Sequence, residues 1–113
     1  MKYSIGEFSQ ISRVSIKALR HYHERALLIP DFVDPESGYR YYSDDQFYQL
    51  QVIRQLKELG FSLQEIGVIL EECDDEIDVA RWLEGQRDKL NRRIRDYENA
   101  VNNIELILSN QRN

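Results

Sequence analysis

The sequence predicts a mainly α protein with one small β-hairpin and a long C-terminal coiled-coil helix. Serine caps followed by apolar residues at helical spacing predict the helices. A single tyrosine-rich segment introduced by turn residues predicts the hairpin, and a seven-residue apolar repeat near the C-terminus predicts the coiled coil.

Ser4 and Glu7 have the spacing of a capping box, and Ile5, Phe8 and Ile11 then recur at helical intervals, which predicts a short first helix ending near Ser12. After a brief connection, Ser15 can cap a second helix. Ile16, Leu19 and Tyr22 form its inward stripe, while Lys17, Arg20 and His21 point elsewhere. Phe32 and Val33, the turn residues Asp34 to Gly38, and the run Tyr39, Arg40, Tyr41, Tyr42 read as a hairpin. Ser43 with Gln46 predicts the start of a third helix, with Phe47, Leu50, Ile53 and Leu56 on one face and a stop at Gly60. Ser62 with Glu65 repeats the signal for a fourth helix through Ile66, Ile69 and Leu70, followed by an acidic connection from Glu71 to Glu76.

From about Asp78 a single helix can run almost to the end, because the segment has no Pro and its one Gly, Gly85, lies near the start. Leu83, Leu90, Tyr97 and Ile104 occupy one heptad position, and Ala80, Arg87, Ile94, Val101 and Leu108 the complementary one. A helix of that length overhangs so small a domain, so the seam is expected to pair with a second copy of the chain. Arg87 is its weak position. The expected organisation is a head over residues 1–75 and a dimerisation helix over 76–113.

Composition narrows the function. Apolar residues make up 42% of the chain and charged residues 31%, enough to build a core. The net charge of -5 argues at first against a nucleic-acid partner. Its distribution reverses that argument, since residues 1–60 hold eight Lys or Arg and eight Asp or Glu, whereas 61–113 hold seven and twelve. Between Arg13 and Arg25 stand Arg13, Lys17, Arg20 and Arg25 against Glu24 alone. Cys73 is the single cysteine, so a thiolate-rich metal site within one chain is excluded, and neighbouring Asp74 and Asp75 disfavour its thiolate. The N-terminus lacks the apolar run of a signal peptide, and no stretch has the length of a membrane span; a soluble cytoplasmic protein is expected.

Helix, turn, helix and hairpin in that order make a winged helix-turn-helix, in which the second helix enters the major groove of double-stranded DNA and the hairpin reaches along the phosphates. Lys17 and Arg20 can neutralise phosphates, and an Arg there can present a fork to guanine. Along the strand from Tyr39 to Tyr42 alternate side chains point to opposite faces, one set packing and the other free to touch a ligand. His21 and His23, two apart on a helix, make a poor chelating pair. No HExxH, nucleophile elbow or Gly-rich phosphate loop occurs, so neither enzyme chemistry nor a metal or other cofactor is expected.

The run SIKALRHYHERALLIPDFVDPESGYRYYS resembles the N-terminal domain of MerR-type bacterial regulators, and the likeness continues through LKELGFSLQEI into the terminal helix. The resemblance implies a homodimer, joined by an antiparallel pair of long helices, on a pseudo-palindromic promoter. Carried over by position, it implies DNA contacts from Ser15, Lys17, Arg20, His21 and Tyr22, from Arg40 with Tyr39 or Tyr41 in a first wing, and from Lys57 and Ser62 beside a second. The dimer would close through Leu83, Leu90, Ile94, Tyr97, Val101, Ile104 and Leu108. Such regulators distort a promoter for RNA polymerase when an effector binds; the wording of the run is nearest the multidrug-responsive branch, and the effector stays open. Two residues depart from the family form: His21 stands where Tyr is usual, and Ala26 where Gly is usual. A rival reading makes the long helix a protein-interaction surface and the head merely structural, leaving Arg13, Lys17, Arg20 and Arg40 without a task.

Overall fold

The computed structural model describes residues 1–73 and 75–112. Its elements are β1 (Lys2–Ser4), α1 (Ile5–Ser12), α2 (Ile16–Glu24), β2 (Phe32–Val33), β3 (Arg40–Ser43), α3 (Asp45–Glu58), α4 (Leu63–Glu72) and α5 (Glu76–Arg112). They form two compact units, Met1–Glu72 and Cys73–Asn113.

In the first unit an antiparallel sheet of order β1-β3-β2 lies beside α1 and α3. The hairpin forms as the sequence predicts, with Phe32 opposite Tyr41 and Val33 opposite Arg40. The third strand, β1, was not predicted. It pairs Tyr3 with Tyr42 and Ser4 with Tyr41, and three residues are too few to show an alternation in sequence. Tyr42 points inward, fully buried, and stacks on Phe8 with centroids 4.5 Å apart. Phe47 packs on Phe8 at 4.5 Å and meets Tyr3 edge-on at 5.3 Å, so one aromatic cluster joins β1, α1, β3 and α3. Leu19, Leu28, Leu50, Ile53 and Ile66 complete the core; burying each such side chain contributes about 1.5–3 kcal/mol before entropy is charged against it.

Capping chemistry sets the helix starts. The Ser4 hydroxyl accepts from the Glu7 N–H at 3.2 Å while the Glu7 carboxylate accepts from the Ser4 N–H at 3.0 Å. The same reciprocal pair joins Ser62 and Glu65 at 3.1 and 2.9 Å. The third helix departs from expectation, beginning at Asp45 with Asp44 as N-cap and no side-chain capping bond. Ser43 remains in β3, and the Asp44 carboxylate is drawn instead to the Tyr3 hydroxyl at 2.8 Å and the N-terminal ammonium at 3.2 Å. The Tyr3 hydrogen bond is the main reason the Asp44 carboxyl titrates below its usual range. Gln46 still reaches back: its Oε1 accepts from Ser43 and Asp31 N–H, both at 3.1 Å, and its Nε2 donates to the Ile29 carbonyl.

Three residues expected on inward faces are exposed. Ile11 is 57% exposed, because the inward place four residues after Phe8 belongs to Ser12, whose hydroxyl accepts from the Val14 N–H and whose carbonyl accepts from Arg54. Ile16 is 37% exposed; in the first turn of α2 its side chain leans toward the open N-terminal end. Leu70, near the end of α4, is likewise exposed.

The second unit is built on α5, 37 residues long and hence about 55 Å. The seven seam residues from Leu83 to Leu108 are each between 36% and 71% exposed on the single chain. Arg87, the weak seam position, pairs with Asp88 at 3.2 Å on the surface. Asp74, part of the acidic connection and one of the two acids beside Cys73, lies outside the described residues.

Candidate nucleic-acid interface

The turn between α1 and α2 fixes how α2 is presented. Arg13 takes a left-handed backbone (φ 61°) that ends α1, and the Ser9 hydroxyl donates to the Val14 carbonyl at 2.6 Å. The Ser15 hydroxyl then accepts from the Ala18 N–H at 3.1 Å and starts α2. Helical spacing puts Lys17, Arg20, His21 and Glu24 on one face. Ser15, Lys17, Arg20, His21 and Glu24 line one open surface depression, which carries two permanent cations, one imidazole and one carboxylate. Arg13 and Arg25 are exposed at the two ends of this segment.

Tyr22, also expected at the DNA, is 6% exposed and belongs to the core stripe with Leu19. The carbonyl of Tyr22 helps close α2, accepting from the Leu27 N–H at 2.8 Å while Ala26 N–H donates to the His23 carbonyl at 3.0 Å. This is the paired C-terminal motif that ordinarily uses glycine. Here Ala26 holds the left-handed position at φ 57°.

The wing is organised by Asp34 and Gly38. The Asp34 carboxylate accepts from the Glu36 N–H at 2.9 Å, the first reason it titrates below its usual range. Gly38 takes φ 75°, a left-handed conformation that glycine adopts without strain, and donates to the Asp34 carbonyl at 2.8 Å. On the strand, Tyr42 faces the core, and burial pushes its phenol up. Tyr41 lies on the other face near Phe32, at 6.1 Å, and Tyr39 is 68% exposed. Arg40 donates from Nε to Nδ1 of His23 in α2 at 3.0 Å.

Lys57 and Ser62 flank the turn from α3 to α4, where Gly60 (φ 90°) closes α3. Both are exposed, and the Ser62 hydroxyl is already engaged as the α4 cap. No hydrogen bond or ion pair joins them to α2 or β3 among the described residues. The structure thus brings together Ser15, Lys17, Arg20 and His21, and ties Arg40 to the same helix. Two contacts beside this surface were not legible in the sequence: that of His23, weighed only as a chelator, with Arg40, and that of Lys2, whose Nζ lies 4.6 Å from the centre of the Phe32 ring on the sheet's outer face.

The model of the MerR HTH regulatory protein family matches residues 3–73, and a second, described as MerR, DNA binding, matches residues 48–105. The chain belongs to the MerR family. Among MerR relatives, it is 50% identical over 64 residues to the multidrug-efflux transporter 1 regulator of Bacillus subtilis, covering 57% of this chain and 23% of that protein. It is 34% identical over 108 residues to the HTH-type transcriptional activator mta of the same organism, covering 96% of this chain and 41% of that one. The chain therefore spans less than half the length of these relatives. Its fold matches the crystal structure of MtaN, the N-terminus of the Bacillus subtilis multidrug transporter activator, with a TM-score of 0.84, 33% identity and coverage of 94% and 97% of the two chains. It also matches the regulator of the EcmrR–DNA complex in EcmrR-RPo, with a TM-score of 0.83, 32% identity and coverage of 97% and 40%. These MerR neighbours have the mainly helical DNA-binding fold and long C-terminal helix that the sequence predicts. Among the described residues no helix is long and apolar enough to cross a membrane.

Proposed function

We propose that this MerR chain is a sequence-specific, double-stranded DNA-binding transcription regulator that acts in the cytoplasm as a homodimer on a pseudo-palindromic promoter. The observation that carries the reading is the cationic face of α2, with Lys17, Arg20 and His21 in one depression beside a wing bonded to the same helix. Residues 1–75 form the DNA-binding head and 76–113 the dimerisation helix. Ser15, Lys17, Arg20 and His21 meet the groove and its phosphates, Arg40 and Tyr39 the backbone beside it, and Lys57 the backbone at the second wing. Tyr22, held in the core, acts chiefly by fixing α2, and Tyr41 by packing near Phe32. The apolar positions Leu83, Leu90, Ile94, Tyr97, Val101, Ile104 and Leu108 pair with those of a second chain, which gives an apolar seam of about 30 Å or more a partner. By family likeness the regulator works with RNA polymerase, through promoter distortion that an effector controls.

Arg20→Glu tests the reading. Affinity for a duplex selected from random sequence falls by about a hundredfold or more as an attractive contact becomes repulsive, and the salt dependence becomes shallower. Thermal unfolding stays unchanged, because Arg20 is exposed. Undiminished DNA affinity in this variant would sink the assignment of α2.

A further inference from the structure

One side-chain hydrogen bond links the wing to α2: Arg40 Nε donates to His23 Nδ1 at 3.0 Å, and both residues are partly buried. A ring nitrogen accepts only when it carries no proton, whereas the guanidinium is always charged. The contact therefore exists with neutral imidazole alone. Protonating Nδ1 removes the acceptor and sets a second cation against the first.

We propose that His23 is a positioning residue for DNA binding, holding the Arg40 guanidinium at the phosphate backbone when neutral and releasing it when protonated. The inference rests on the reading that Arg40 contacts DNA. With Nε committed to His23, the two terminal nitrogens of Arg40 have no acceptor among the described residues, which leaves them for a phosphate. A guanidinium held in plane loses less rotamer freedom on binding than a free one.

Among the described residues no acid is hydrogen-bonded or ion-paired to His23. The Glu7 carboxylate of α1 is bound to the Ser4 N–H. At the ends of β2 stand Asp31 and Asp34, the latter bound to the N–H of Glu36 in the wing turn. On β3, Tyr41 faces away and Tyr42 is buried. On α2 itself Arg20 precedes His23 by three residues, and Glu24 and Arg25 follow it, all exposed. Among the described residues no carboxylate is bonded to His23 or Arg40. Exposed His21, by contrast, stands in the α2 depression, where a proton strengthens attraction to phosphate. The two imidazoles thus push DNA affinity in opposite directions as pH falls.

The test titrates a selected duplex at constant ionic strength, from about pH 8 to about pH 5.5, with the wild type, His23→Asn, His23→Ala, Arg40→Ala and the double variant His23→Ala/Arg40→Ala. Asparagine keeps an acceptor near the Nδ1 position and does not titrate. Near pH 8 His23→Ala is expected to weaken binding about tenfold, His23→Asn to stay within about threefold of wild type, and the double variant to bind like Arg40→Ala. As pH falls, the affinity of the wild type relative to His23→Asn drops about fivefold or more. Because His21 is common to both proteins, that ratio isolates His23. An equal penalty for His23→Ala in the Arg40→Ala background, or a ratio that ignores pH, overturns the proposal. If Arg40→Ala binds like wild type, the reading of the wing fails and the proposal with it; if Arg40→Ala weakens binding and His23→Ala does not, the proposal alone fails. Thermal unfolding of each variant identifies a misfolded one, and His23→Asn carries the test if His23→Ala does not fold.

Discussion

Ala26 carries a Cβ at a left-handed backbone position, φ 57°, where the closing motif of α2 favours glycine. Ala26→Gly is therefore expected to stabilise the head by up to about 1 kcal/mol, net of the extra freedom glycine brings to the unfolded chain. Thermal unfolding reads this as a rise of several degrees in Tm. A second residue-scale test lies in the core, where the Tyr42 hydroxyl is buried and has no hydrogen-bond partner among the described residues. Tyr42→Phe removes an unpaired polar group while keeping the ring on Phe8. Denaturant titration should show stability unchanged or raised by about 1–2 kcal/mol, and a loss of that size would mean the hydroxyl is satisfied. Ala26 stood out in the sequence only as a departure from the family form, and its strain became visible with the left-handed φ. The Tyr42 hydroxyl and the His23–Arg40 bond were not legible there, because each depends on residues brought together from separate elements.

At the scale of elements, cap and period made most of the fold readable. Ser4, Ser15 and Ser62 engage the N–H groups three residues on, as their spacing predicts. The start of α3 was misread because Asp44 is taken by Tyr3 and the N-terminus, contacts that span more than forty residues of sequence. Short β1 was invisible for a related reason: it is a strand only because β3 lies beside it. In α5 the seven-residue repeat leads to a mutational test. Ile94, 52% exposed on the single chain, lies mid-seam. Ile94→Lys places a charge where two apolar rows are to meet, so sedimentation should show a monomer at micromolar concentration and DNA affinity should fall with it. A dimer mass unchanged in that variant would assign the seam to another partner.

Across the whole molecule, the cationic surface and the proposed self-association surface lie in separate units, one on α2 with the wing and one on α5. The net charge of -5 hides this arrangement, since the acidic excess belongs to residues 61–113. A dimer presents two copies of the α2 face, and two-fold symmetry then demands two inverted half-sites, which ties the protein's symmetry to the operator's. What the sequence could not supply was the pairing between the hairpin and α2, since the two meet only in space. The most direct measurement is selection of binding sites from random duplex DNA by the purified protein, followed by titration of the winning sequence against a scrambled one near physiological salt. An enriched inverted repeat is expected, bound about a thousandfold or more tighter than the scrambled duplex. No enriched sequence, with residual binding abolished by salt, would contradict it and make the α5 seam the functional surface.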